Sequence, residues 1–131
     1  MNITQQVIIL SAELTTETTG ENNRRTNNLR ASLNDVGITF NEATGHYKNT
    51  QETSFVCLPK NAAEIETLKD FAFKNFKQES VLFQDSNGQA YLIFEDKTEQ
   101  NIGKLKQVNP KFIEQLENYT IMNNRVYTTE L

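Results

Sequence analysis

Apolar residues fall in two textures along this chain. Up to about residue 96 they form short dense runs and helix-spaced stripes, and beyond it they thin out. VIILSAEL (7–14) is branched and apolar, as a buried strand is. The polar stretch TTETTGEN follows, and a helix is expected to start at Glu21 or Asn22. Its stripe is Thr26, Leu29, Leu33 and Val36, and Gly37 stops it. ITFNEA (38–43) alternates as a half-buried strand, TGHYKNTQE reads as a loop or loosely paired turn, and ETSFVCLP (52–59) reads as a strand. Pro59 and Asn61 close that strand and cap a second helix. Ile65, Leu68, Ala72 and Phe76 form its stripe, widened by Phe71 and Phe73, and Lys74 and Lys77 suit the negative end of its dipole. Two apolar strands then flank Asp85-Ser86-Asn87-Gly88, a hairpin signal, and the second strand is expected at 90–95.

The order over residues 7–84 is strand, helix, strand, strand, helix, strand. It predicts an α+β domain with ferredoxin-like element order, two helices covering one face of an antiparallel sheet. Residues 1–96 form the expected core domain. Residues 97–131 form a C-terminal extension, with a short helix after Pro110 and a hairpin turning at Asn123-Asn124, which extends the sheet or presents a partner surface.

The net charge of −4 argues against a protein that neutralises nucleic-acid phosphates. Cys57 is the only cysteine, so no intrachain disulfide forms; in SFVCL it reads as a buried, inert thiol. Neither a signal peptide nor a membrane-length apolar run is visible, so a cytoplasmic location is expected. Asn2-Ile3-Thr4 and Asn118-Tyr119-Thr120 match the glycosylation triplet, which carries no weight without an export signal.

Catalytic signals are sparse. His46, the only histidine, is a possible base with Glu42 or Glu52 to orient it, but no nucleophile motif accompanies it. No metal-ligand spacing and no phosphate-cradling glycine loop appears, so neither metal nor cofactor is expected. The dense polar cluster is Asn22, Asn23, Arg24, Arg25, Asn27, Asn28 and Arg30, at a predicted helix N-terminus where free N–H groups and arginines favour an anion. A second polar set opens two strands, with Glu52 and Ser54 on one and Gln78, Glu79 and Ser80 on the other.

Ser11-Ala12, Glu21-Asn22, the Arg24/Arg25 and Asn27/Asn28 pairs, Glu52-Thr53-Ser54-Phe55 and Gln78-Glu79-Ser80-Val81 together resemble a bacterial and phage domain family of unknown function. The resemblance covers about residues 7–96. This chain departs from it at Glu13-Leu14, where the family usually has Asn-Pro. It implies that Ser11, Glu21, Asn22, Arg25, Asn28, Glu52, Ser54, Gln78 and Ser80 act together, and with Arg24 they are the candidate site. The expected function is a non-catalytic binding module, encoded by a phage or mobile element, that holds a small anionic ligand or a host protein. The alternatives are a small hydrolase or nucleotide-processing enzyme using His46, and an assembly protein that forms a homo-oligomer.

Overall fold

Val7, Ile8, Ile9 and Leu10 are all buried, so the strand they form needs apolar cover on both faces. The computed structural model, which describes residues 5–130, provides that cover in two different ways. In chain order the elements are β1 (Val7–Leu10), α1 (Thr19–Val36), β2 (Thr39–Tyr47), β3 (Thr50–Leu58) and α2 (Ala62–Asp70), which continues as a π-helical turn over Phe71–Asn75. Then come β4 (Ser80–Gln84), β5 (Gln89–Phe94), β6 (Glu99–Lys104), β7 (Lys106–Val108), a 3₁₀ turn over Pro110–Gln115, β8 (Asn118–Met122) and β9 (Arg125–Thr128).

All nine strands join one sheet in the order β6-β5-β4-β1-β3-β2-β8-β9-β7, with antiparallel pairing throughout. The two edge strands, β6 and β7, are consecutive in the chain and separated by Leu105 alone, so the sheet curls into a nearly closed barrel. Helices cover its outside. Leu29 and Leu33 of α1, with Leu68, Ala72, Phe73 and Phe76 around α2, pack on Ile8, Leu10, Phe55, Cys57 and Val81. The opposite face carries Val7, Ile9, Ala43 and Val56, which meet Leu105, Met122 and Tyr127 from the far end of the sheet.

The expected ferredoxin-like α+β fold with two helices on one face is therefore corrected to a mostly antiparallel barrel. The reason is the second apolar face. Val7, Ile9, Val56 and Leu82 would lie bare in a two-layer domain, and the strands beyond residue 98 bury them instead.

Local features also sharpen. Thr18 caps α1, accepting the Glu21 N–H at 3.1 Å, while Gly37 ends the helix with φ 72°. Asn61 caps α2 through the Glu64 N–H. The segment around His46, expected as a loop or loosely paired turn, is paired strand up to a two-residue turn at Lys48-Asn49, both with positive φ. The hairpins at 85–88 and at Asn123-Asn124 form. No helix among the described residues is long and apolar enough to cross a membrane. Asn2-Ile3-Thr4 lies outside the described residues.

Candidate functional site

Alternation along β3 sends Val56 into the barrel interior, and therefore Ser54 and Glu52 as well. Val56 belongs to the apolar filling, whereas Ser54 and Glu52 form polar rungs at one end of it. On the neighbouring strand Ala43 stands opposite Ser54, and Gly45 stands opposite Glu52. The Glu52 rung continues through Thr120 of β8 to Tyr127 of β9. Gly45 makes room for both side chains: a Cβ there would lie 2.8 Å from Ser54 Oγ and 3.5 Å from Glu52 Cγ.

The segment after β1 folds over the same end. Ser11 Oγ donates to the Thr53 carbonyl at 2.8 Å and accepts the Glu13 N–H at 3.1 Å. Glu13 Oε2 accepts the Thr53 N–H at 2.6 Å. Burial and the neighbouring Glu13 carboxylate push Glu52 up to about 7, while the Ser11 hydroxyl opposes the rise. That hydroxyl has one proton to give, so it serves either the Thr53 carbonyl or an ionised Glu52. None of the ion pairs among the described residues involves Glu13 or Glu52. The site thus holds two carboxyl groups without a cationic side chain paired to either.

A polar brace holds this segment in place. Asn22 clamps Leu14 on both backbone groups at 2.9 Å. Arg25 Nε donates to the Ala12 carbonyl at 2.7 Å, another of its nitrogens donates to the Phe76 carbonyl, and its guanidinium lies 5.5 Å from the Phe76 ring centroid. Gln78 Nε2 donates to the Glu13 and Phe76 carbonyls at 3.0 and 3.2 Å.

Of the residues singled out in the sequence, Ser11, Asn22, Arg25, Glu52, Ser54 and Gln78 are therefore brought together, with Asn22, Arg25 and Gln78 spent on the brace. Glu21 and Arg24 pair with each other on the surface at 2.5 Å. Asn28 is exposed on α1, and Ser80 is half-buried opposite Phe94 on β5. The arginines expected to hold an anion have other partners here: Arg24 pairs with Glu21, and Arg25 donates to the Ala12 and Phe76 carbonyls. His46 stands opposite Gln51, one register position from Glu52, so it faces the other side of the sheet and stacks on Tyr119 at 4.4 Å. Glu42 is paired with Arg30 at 2.7 Å. The set expected for a hydrolase is thereby dispersed.

Glu13 is the functional candidate that the sequence reading passed over. Its signal was the departure at Glu13-Leu14 from the resembled family, and its place over Glu52 follows only from the pairing of β1 with β3. A groove on the surface lies elsewhere, between α2 and β5–β6. Lys69, Lys74, Lys77 and Lys97 alternate there with Glu66, Asp70, Glu95 and Glu99, so its charges balance.

No curated protein matches the chain in sequence. The family model described as the S-Adenosylmethionine lyase family matches residues 8–130, nearly the whole chain and well beyond the first 96 residues. A family named for a lyase reaction conflicts with the expected non-catalytic binding module, and none of the expected alternatives matches it better. The chain belongs to the S-adenosylmethionine lyase family.

Proposed function

We propose that this protein is an enzyme that cleaves S-adenosylmethionine without water or an external oxidant, at the barrel end lined by Ser11, Glu13, Glu52 and Ser54. The family match over residues 8–130 carries this reading. The charge of the site supports it. A sulfonium is a fixed cation, and Glu13 and Glu52 offer it negative charge that no side chain cancels.

A lyase breaks a carbon–sulfur bond of the sulfonium, and sulfur keeps the bonding pair. When the bond to the four-carbon amino-acid chain breaks, neutral methylthioadenosine leaves. The carbon is satisfied in one of two balanced ways. The chain's own carboxylate oxygen closes on it to form a lactone, or an adjacent carbon loses a proton to a base and an alkene forms. Either path cancels positive charge at sulfur, which a dry site favours over water. The carboxyl groups accordingly act in binding and in discriminating sulfonium from thioether, with Glu52 also placed to accept a proton on the alkene path.

The motif residues then have distinct duties in this reading. Glu52-x-Ser54-Phe55 supplies the polar rungs and, through Phe55, an outer-face anchor. Asn22, Arg25 and Gln78 hold the segment that bears Glu13. A cytoplasmic setting, where free substrate is met, completes the proposal. The test is direct: purified protein is incubated with S-adenosylmethionine and the mixture is resolved chromatographically. Methylthioadenosine is expected, and proton NMR of the four-carbon fragment distinguishes lactone from alkene. Unchanged substrate at high protein concentration would sink the reading.

A further inference from the structure

We infer that uptake of the sulfonium expels a proton held at Glu52 beside Glu13, so that substrate binding at this site is coupled to proton release; this rests on the lyase reading of the barrel end. Glu13 Oε2 accepts the Thr53 N–H at 2.6 Å, one residue from Glu52, and the Glu13 carboxylate acts electrostatically on Glu52. From the segment after β1 come Glu13 and Ser11, the latter hydrogen-bonded to the Thr53 carbonyl next to Glu52. From β3 itself comes Ser54. From β2 comes Gly45, which brings no side chain, and behind it on the same rung lie Thr120 of β8 and Tyr127 of β9. Arg25 of α1 approaches only as far as the Ala12 carbonyl and turns to Phe76. His46 and Tyr119 sit one register position away and face the other side. Among the described residues Glu13 is the charged group that acts on Glu52.

Two carboxylates confined together with no cation favour keeping one proton, and burial adds to this; the Glu52 carboxyl stands at about 7. A cation brought into the pair reverses both effects. An opposite charge within a few ångströms lowers a carboxyl's pKa by about 1–3 units. Below neutrality the arriving sulfonium thus takes the place of a proton. Well above neutrality the proton has already gone, and binding is pH-independent. Affinity for a cationic ligand should rise by about tenfold per pH unit on the acid side and level off above pH 7–8.

Calorimetric titration of the full chain tests this. The probe is sinefungin, in which a protonated amine takes the sulfonium's place, with neutral S-adenosylhomocysteine as the comparison. Each is titrated at pH 6.5 and 8.5 in two buffers of different ionisation enthalpy. Sinefungin should release more than about half a proton per site at pH 6.5 and almost none at pH 8.5. S-adenosylhomocysteine should release much less at either pH. Glu52→Gln should abolish the release. Glu13→Gln, whose amide oxygen can still accept the Thr53 N–H, should move the release to lower pH and keeps the test alive if the first variant fails to fold. Binding without proton release at pH 6.5, or release unaltered by both substitutions, overturns the coupling and leaves the lyase reading standing. Absence of binding together with absence of S-adenosylmethionine cleavage overturns both.

Discussion

Glu52 sits in a rung where a neutral side chain would be more comfortable, and that discomfort is measurable. Its carboxyl is raised from 4.5 to about 7 in the folded chain, so the native state holds a proton that the unfolded chain gives up. Stability should therefore fall as pH rises from about 4.5 to about 7, and be flat above. Glu52→Gln removes that slope. Denaturant unfolding should show the variant more stable than the parent at pH 8 by up to about 3 kcal/mol, with the difference gone near pH 4.5. The two arginines separate just as sharply. Arg25→Ala removes a charged donor from two carbonyls and frees the Glu13 segment, for a loss of about 2–4 kcal/mol and most of the activity. Arg24→Ala breaks only an exposed pair and should leave unfolding and activity unchanged. Cys57 is buried with its thiol pushed up to about 12, so iodoacetamide at pH 8 should label it only after denaturation. At this scale the site was half legible. Asn22 and Arg25 belong to the polar helix N-terminus, Glu52, Ser54 and Gln78 to polar strand starts and Ser11 to the family resemblance, but composition does not tell a brace from a ligand contact. Arg25 looked like an anion trap and is a strut.

Elements with strong local codes were readable, and those defined by distant partners were not. Thr26, Leu29 and Leu33 set the buried stripe of α1, although Val36 at its end remains exposed. Asn-Gly and Asn-Asn turns fixed two hairpins because their backbone needs positive φ at the turn, which few residues tolerate. By contrast, the strand halves Thr44–Tyr47 and Thr50–Glu52 contain almost no alternation of apolar residues. They pair because β8 and the folded-over Glu13 segment lie beside them, and neither neighbour is visible in a local window. Gly45 is the residue of that stretch whose identity has a tertiary cause. Its backbone is ordinary extended chain, so glycine is there for space. Gly45→Val should force Ser54 and the Glu52 stem aside, costing about 1–3 kcal/mol and a large part of substrate affinity. Chemical denaturation and a KM measurement together check this: a variant with full affinity would show that the Gly45–Glu52 rung is not where substrate sits.

At the scale of the molecule, the thin apolar texture beyond residue 96 concealed a structural task. Leu105, Met122, Val126 and Tyr127 are few, but the curl places Leu105, Met122 and Tyr127 against Val7, Ile9, Ala43 and Val56 in the middle of the sheet. A chain ending at Asp96 would keep the helix-covered face and lose the cover from the interior one. The exposed patch would include Val7, Ile9, Val56, Leu58 and Leu82, which together exceed what a soluble monomer ordinarily tolerates. It would also leave β2 without β8 as a partner, and β2 carries Gly45 beside Glu52. The shortened chain should therefore bind a hydrophobic dye, associate in light scattering and show no S-adenosylmethionine cleavage. Adding residues 97–131 back as a separate peptide should restore little, because four strands must order at once and the entropy lost in docking them is no longer limited by the covalent link. A monomeric, cooperatively unfolding 1–96 fragment would instead mean that the outer, helix-covered face suffices for folding. The barrel would then be an addition to the domain and not its condition.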